Sequence, residues 1–135
     1  ELLEAVLAGA HDPESPVLRS SVPALHATAV DVLAADGYVF GTSANFGYMS
    51  GALKHFFDTV YYPCLDAVAG RPFGLWVHGN NDTAGAVKSV QKIVTGLELV
   101  QAAGIVEITG PIDAAVRESC YELGATVAVT VAGDL

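Results

Sequence analysis

Residues 35–58 read ADGYVFGTSANFGYMSGALKHFFD, and the three parts of this stretch decide the fold. Tyr38-Val39-Phe40 is a short β-branched and aromatic run bounded by Gly37 and Gly41, the composition of a buried strand. Thr42–Met49 reads as a polar, glycine-containing loop. Ser50 is a natural N-cap, and Leu53, Phe56, Phe57 and Val60 follow at spacings of three and four, which places them on one helical face. A polar loop at the carboxyl end of a buried strand is where open α/β sheets bind their ligands.

The same alternation extends outward in both directions. Upstream, Glu1–Ala8 is expected to be helical, with Leu2, Leu3, Val6 and Leu7 inward and Gly9 as its stop. His11–Pro16 reads as loop, Val17–Val22 as a short edge strand ended by Pro23, and Leu25–Ala34 as a helix with Leu25, Ala29, Val32 and Leu33 inward. Downstream, the Ser50–Tyr62 helix meets Pro63. Ala69-Gly70-Arg71-Pro72 then turns the chain into Phe73-Gly74-Leu75-Trp76-Val77, a continuous apolar run typical of a strand covered on both faces. His78–Asp82 is a second polar loop. Thr83–Ala103 is expected as a long helix, Ile105–Thr109 as a last strand, and Asp113–Val131 as a closing helix.

Strands alternating with helices through short connections give an α/β, three-layer, doubly wound parallel sheet. The chain opens already inside a helical pattern, which reads as an N-terminally incomplete domain whose first strand lies ahead of Glu1. With that strand restored the expected order is 2-1-3-4-5. Residues 1–135 form a single domain on this reading, with about half of them apolar, enough for a sizeable core.

Composition narrows the function. Six Lys and Arg against 15 Asp and Glu give a formal charge of −9, which argues against nucleic acid and anionic membrane as partners. A phosphorylated small molecule remains compatible, because backbone N–H groups at a loop or helix N-terminus hold phosphate without basic side chains. No apolar run reaches the length of a membrane helix. Cys64 and Cys120 lack CxxC or metal-like spacing and fit a reducing, cytoplasmic setting. Asn81-Asp82-Thr83 matches the glycosylation sequon by chance, since no secretory signal accompanies it.

The loops after Phe40 and after Val77 open on one edge of such a sheet. The first offers amides around Gly41 and Gly47, the hydroxyls of Thr42 and Ser43, the Asn45 amide, and the rings of Phe46 and Tyr48; the second offers His78, Asn80 and Asn81 around Gly79. Rings that stack and amides that pair with heteroatoms suit a flat, conjugated ligand. Trp76, Met49 and the Phe56–Phe57 pair read as core, Lys54 as a surface charge, and Cys64 as an inert thiol without a partner base. His11, His26 and His55 show no metal-ligand spacing.

At GTSANFGYMSGALKHFFD the chain resembles the flavodoxin-like NAD(P)H-dependent FMN reductase and quinone reductase family, whose pattern is G-T-P-x-x-[FY]-G-x-M-[SA]-G-x-x-K-x-F-x-D. Gly41, Thr42, Phe46, Gly47, Met49, Ser50, Gly51, Lys54, Phe56 and Asp58 match, and Ser43 departs where proline is usual. The VHGNND segment resembles the fourth-strand loop of the same family. The resemblance implies a flavodoxin-like fold and FMN as cofactor, with its ring against Thr42, Ser43, Ala44, Asn45, Phe46 and Gly47 on one side and His78, Gly79 and Asn80 on the other. It also implies that the FMN phosphate sits in a Ser/Thr-Gly-rich loop ahead of Glu1. The implied activity is electron transfer from NAD(P)H to a small-molecule acceptor such as a quinone or flavin, in a homodimer or homotetramer, with no catalytic acid or base and no metal. A flavodoxin-type electron carrier is the alternative. A phosphoacceptor signalling domain on the same fold needs an Asp where this chain has Gly41-Thr42.

Overall fold

The computed structural model describes residues 2–11 and 17–134. Its central strand is the continuous apolar run, and around it lie, in chain order, α1 (Leu2–Ala10), α2 (Ala29–Ala34), β1 (Tyr38–Asn45), β2 (Tyr48–Met49), α3 (Gly51–Cys64), β3 (Pro72–His78), α4 (Thr83–Gly96), β4 (Val100–Gln101), β5 (Val106–Ile108) and α5 (Ala114–Asp134). β1 runs parallel to β3 from Tyr38 opposite Phe73 to Ser43 opposite His78. Along the other edge of β3 lie β4, parallel at Pro72–Phe73, and β5, parallel at Trp76–His78. The long parallel strands therefore run in the order β1-β3-β5, as expected for the third, fourth and fifth places of a doubly wound sheet.

Alternation along the strands divides the core into two layers. Phe40 from β1 and Phe73, Leu75 and Val77 from β3 face α3 and α4, where they meet Leu53, Phe56, Phe57, Val60, Val90 and Val94. Each such side chain contributes about 1.5–3 kcal/mol by leaving water. Val39 and Trp76 face the opposite way, toward Leu2 and Val6 of α1 and Cys120 and Leu123 of α5. α1 and α5 approach closely because Gly9 lies on the Tyr121 backbone and Gly124 on the Val6 carbonyl, where a Cβ would overlap either neighbour. Cys64 and Cys120 are buried free thiols, one at the end of α3 and the other within α5.

Several expected boundaries move. The stretch Thr42–Met49, read as loop, is largely strand: β1 continues to Asn45, and β2 pairs back on it with Ala44 opposite Met49 and Asn45 opposite Tyr48. Phe46 and Gly47 alone form the turn, with φ of 51° and 71°, the paired left-handed conformations of a tight hairpin. Val17–Val22 forms no strand; Leu18 and Val22 are exposed, so no apolar face draws the segment onto the sheet. α2 starts at Ala29 rather than Leu25 because Thr28 caps it: its hydroxyl accepts from the Asp31 N–H, and the Asp31 carboxylate accepts from the Thr28 N–H at 2.8 Å. Leu25 and Leu33 are consequently exposed, and Val32 carries the burial.

The helix expected over Thr83–Ala103 ends at Gly96. Glu98 takes a left-handed φ of 60°, its carbonyl accepts from the Gly70 N–H, and the Val100 N–H donates to the Arg71 carbonyl, which returns the chain to the sheet. The apolar spacing of Leu97, Leu99 and Val100 thus serves a turn and strand instead of a last helical turn. The expected Ile105–Thr109 strand is Val106–Ile108, and the expected closing helix runs to Asp134. Glu1 and residues 12–16 of the expected first helix and loop lie outside the described residues.

Candidate functional site: the carboxyl edge of the sheet

The parallel register brings Ser43, His78 and Ile108 level at the carboxyl ends of β1, β3 and β5. Ser43 and His78 point to the α1–α5 side, as alternation from Val39 and Trp76 requires, and there they border a cleft of about 310 Å³ with Leu2, Leu3, Trp76 and Ile112. Trp76 packs against the α1–α5 core layer as expected, but it is only half-buried and also lines the cleft. Its indole lies across Gly41, where any Cβ would collide with the ring. The register of β1 on β3 is what pairs a glycine with the only tryptophan, and nothing in the linear sequence displays that pairing.

Beyond Ser43 the hairpin rises from the edge. Ala44 is half-buried against the second loop: a Cβ on Gly79 would lie 2.8 Å from the Ala44 Cβ, so the two loops touch there. Asn45 and Phe46 are exposed, Phe46 completely so at the tip. Pairing stops at Asn45 and Tyr48, which leaves the N–H groups of Phe46 and Gly47 outside the ladder. A bulky residue at positive φ is a conformational outlier, and such outliers collect at ligand sites. Asp82, the N-cap of α4 beside Gly47, is also left-handed, with φ of 46°, a conformation that Asp adopts readily.

Of the residues singled out from the sequence, Ser43, Ala44, Asn45, Phe46, Gly47, His78 and Gly79 come together at this edge, and Asn80 stands exposed on the same loop. Thr42 does not present its side chain there. It is buried on the α3–α4 side, its hydroxyl donating to the Ser43 carbonyl at 2.8 Å and accepting from the Ser50 N–H at 2.8 Å, so it ties β1 to the start of α3. Ser50 in turn accepts from the Leu53 N–H as the N-cap. Lys54 pairs with Asp58 one turn along, a surface ion pair that holds its ammonium charged. The described residues contain no group of three or more His, Cys, Asp or Glu placed to hold a metal, and none of their helices is long and apolar enough to cross a membrane.

A doubly wound sheet with paired loops at its carboxyl edge and an exposed aromatic at the hairpin turn has the architecture of a flavodoxin-like protein. The profile of the NADPH-dependent FMN reductase family matches residues 10–109, and the chain belongs to that family. The cofactors that come with the family are FMN and NAD(P)H. Among curated proteins, a probable NAD(P)H dehydrogenase (quinone) FQR1-like 2 of Arabidopsis thaliana is 29% identical over 85 residues, 62% of this chain; the chain spans 30% of that relative's length. Among solved structures, a WrbA-like flavodoxin of Agrobacterium tumefaciens superposes with a TM-score of 0.75 at 20% identity, over 96% of this chain and 87% of that one. A flavodoxin from the domain Archaea gives 0.81 at 14% identity over the same shares.

The residues present fit a flavin. Its ring needs a flat apolar surface and amides at its heteroatom edge, and the hairpin tip supplies Phe46 with two N–H groups outside the ladder.

Proposed function

We propose that this chain is the flavodoxin-like domain, over residues 1–135, of an oxidoreductase that passes electrons from NAD(P)H through FMN to a quinone, a free flavin or a similar small acceptor. Bound FMN would supply the chemistry, accepting a hydride and releasing electrons. The protein's own residues bind and orient. Ser43, Ala44, Asn45, Phe46 and Gly47 form one wall for the ring and His78, Gly79 and Asn80 the other, while Thr42 supports the first wall from beneath. The turn amides of Phe46 and Gly47 would serve as donors to the polar edge of a bound ring, and hydrogen bonds of that kind would tune its potential. No side chain is needed as acid or base. The reading includes a homodimer or homotetramer, which the family resemblance suggests, in the cytoplasm, which two cysteines without disulfide or metal spacing suggest.

One observation carries the proposal: a fully exposed phenylalanine held at positive φ on a turn that abuts the second loop. The test is rapid anaerobic mixing of the FMN-loaded protein with NADPH or NADH. Bleaching of the flavin absorbance, reversed when a quinone is added, is the expected result. A protein that holds FMN but leaves it oxidised with either donor is a carrier, and the reductase reading fails.

A further inference from the structure

The hairpin tip is not held by its own strands alone. β2 is two residues long, and an isolated two-stranded hairpin is marginal in water. The first two turns of α4 supply the rest. The Met49 N–H donates to Ser89 Oγ at 3.1 Å, and the same hydroxyl donates to the Ala86 carbonyl at 2.7 Å, so its rotamer is set from within the helix. Gly85 lies against the Gly47 backbone, where a Cβ would overlap the Gly47 carbonyl oxygen. Gly47 in turn leaves room for the Asp82 carboxylate, which caps α4 by accepting from the Gly85 N–H at 3.3 Å. Glycine inside a helix costs about 1 kcal/mol relative to alanine, so close approach of the turn is the reason for Gly85.

From this packing we infer that Ser89 and Gly85 are positioning residues for the flavin: they hold the tip carrying Phe46 and Gly47 at a fixed height and spacing from the His78–Asp82 loop. α4 begins where that loop ends, so one rigid element spaces both walls of the site. Neither residue lines the cleft or stands at the tip. The inference rests on the flavin reading given above.

The test compares the full-length protein with Ser89→Ala, Ser89→Thr and Gly85→Ala in FMN titrations, in visible circular dichroism of the bound flavin at saturation, and in ligand-free melting. Ser89→Ala leaves the Met49 N–H without its acceptor, and Gly85→Ala pushes the turn away. Each is expected to raise the Kd for FMN about five- to tenfold and to alter the dichroism at saturation, with Ser89→Thr restoring both toward wild type. If wild type binds FMN and both disruptive variants keep its Kd and its spectrum, the positioning role is wrong and the flavin reading stands. Lowered melting with an unchanged spectrum at saturation also overturns it, because that is the signature of a purely structural contact. If wild type binds no FMN, the flavin reading itself falls and takes this inference with it.

Discussion

Gly47 shows how one residue type at one place serves several demands. Its φ of 71° closes the hairpin, its missing Cβ admits the Asp82 carboxylate, and its carbonyl receives Gly85. Gly47→Val is expected to destabilise the protein by about 1–3 kcal/mol in denaturant unfolding, because a β-branched residue must be forced into the left-handed region. Gly47→Asn, which tolerates that region, should lose less. Equal losses for the two would place the cost in the contact with Asp82 and not in the backbone. The glycine was visible in the sequence as a site feature; its turn geometry was not, because Phe46 disguises the turn. Tight hairpins of this kind are signalled by Asn-Gly or Asp-Gly, and here the same pair of conformations is taken by Phe-Gly. Thr42 was legible as a site residue only by its place in the motif. The alternation of β1 turns its side chain inward, a fact that depends on the strand continuing past Gly41.

Elements were legible where one strong pattern governed them and obscure where two competed. The continuous apolar run at Phe73–Val77 and the amphipathic spacing of α3 each admit one reading, and both elements formed, with α3 running on through Pro63 to Cys64. The long helix after Asp82 stops short of its expected end, since Leu97, Leu99 and Val100 keep helical spacing while the chain turns back to pair with Pro72 and Phe73. α2 is a different case: six residues are too few to stand alone, and it is fastened at both ends. At its carboxyl end the guanidinium of Arg71 reaches the carbonyls of Val32, Leu33 and Ala35 at 2.8–3.2 Å and the Tyr38 hydroxyl at 3.1 Å. That cation answers the exposed carbonyls and the negative end of the helix together. Arg71→Ala should therefore cost about 1–3 kcal/mol in chemical denaturation, and Arg71→Lys should recover only part of it. An alanine variant as stable as wild type would mean that α2 holds without this cap.

At the scale of the whole molecule, burial shifts three titratable groups among the described residues, all in one direction. Burial raises the Cys64 and Cys120 thiols above their ordinary 9.0, and burial raises Tyr38 above 10.0 despite the opposing hydrogen bond from Arg71. All three are neutral when protonated, so the folded state holds their protons more tightly than the unfolded state. Their contribution is complete below pH 9 and is lost as pH rises past the unfolded values of 9 to 10, where unfolded chains ionise first. The melting temperature should fall progressively above pH 9, and Tyr38→Phe should flatten the part of the fall above pH 10. A melting temperature that rises over that range would contradict this linkage. The central claim, however, concerns the carboxyl edge of the sheet, and Phe46 tests it most directly because its side chain is fully exposed and supports nothing else. FMN fluorescence should be quenched on titration with wild type, and Phe46→Ala should raise the Kd about three- to tenfold, the worth of one aromatic stack, while ligand-free melting stays unchanged. Quenching by Phe46→Ala at the wild-type Kd would contradict the account.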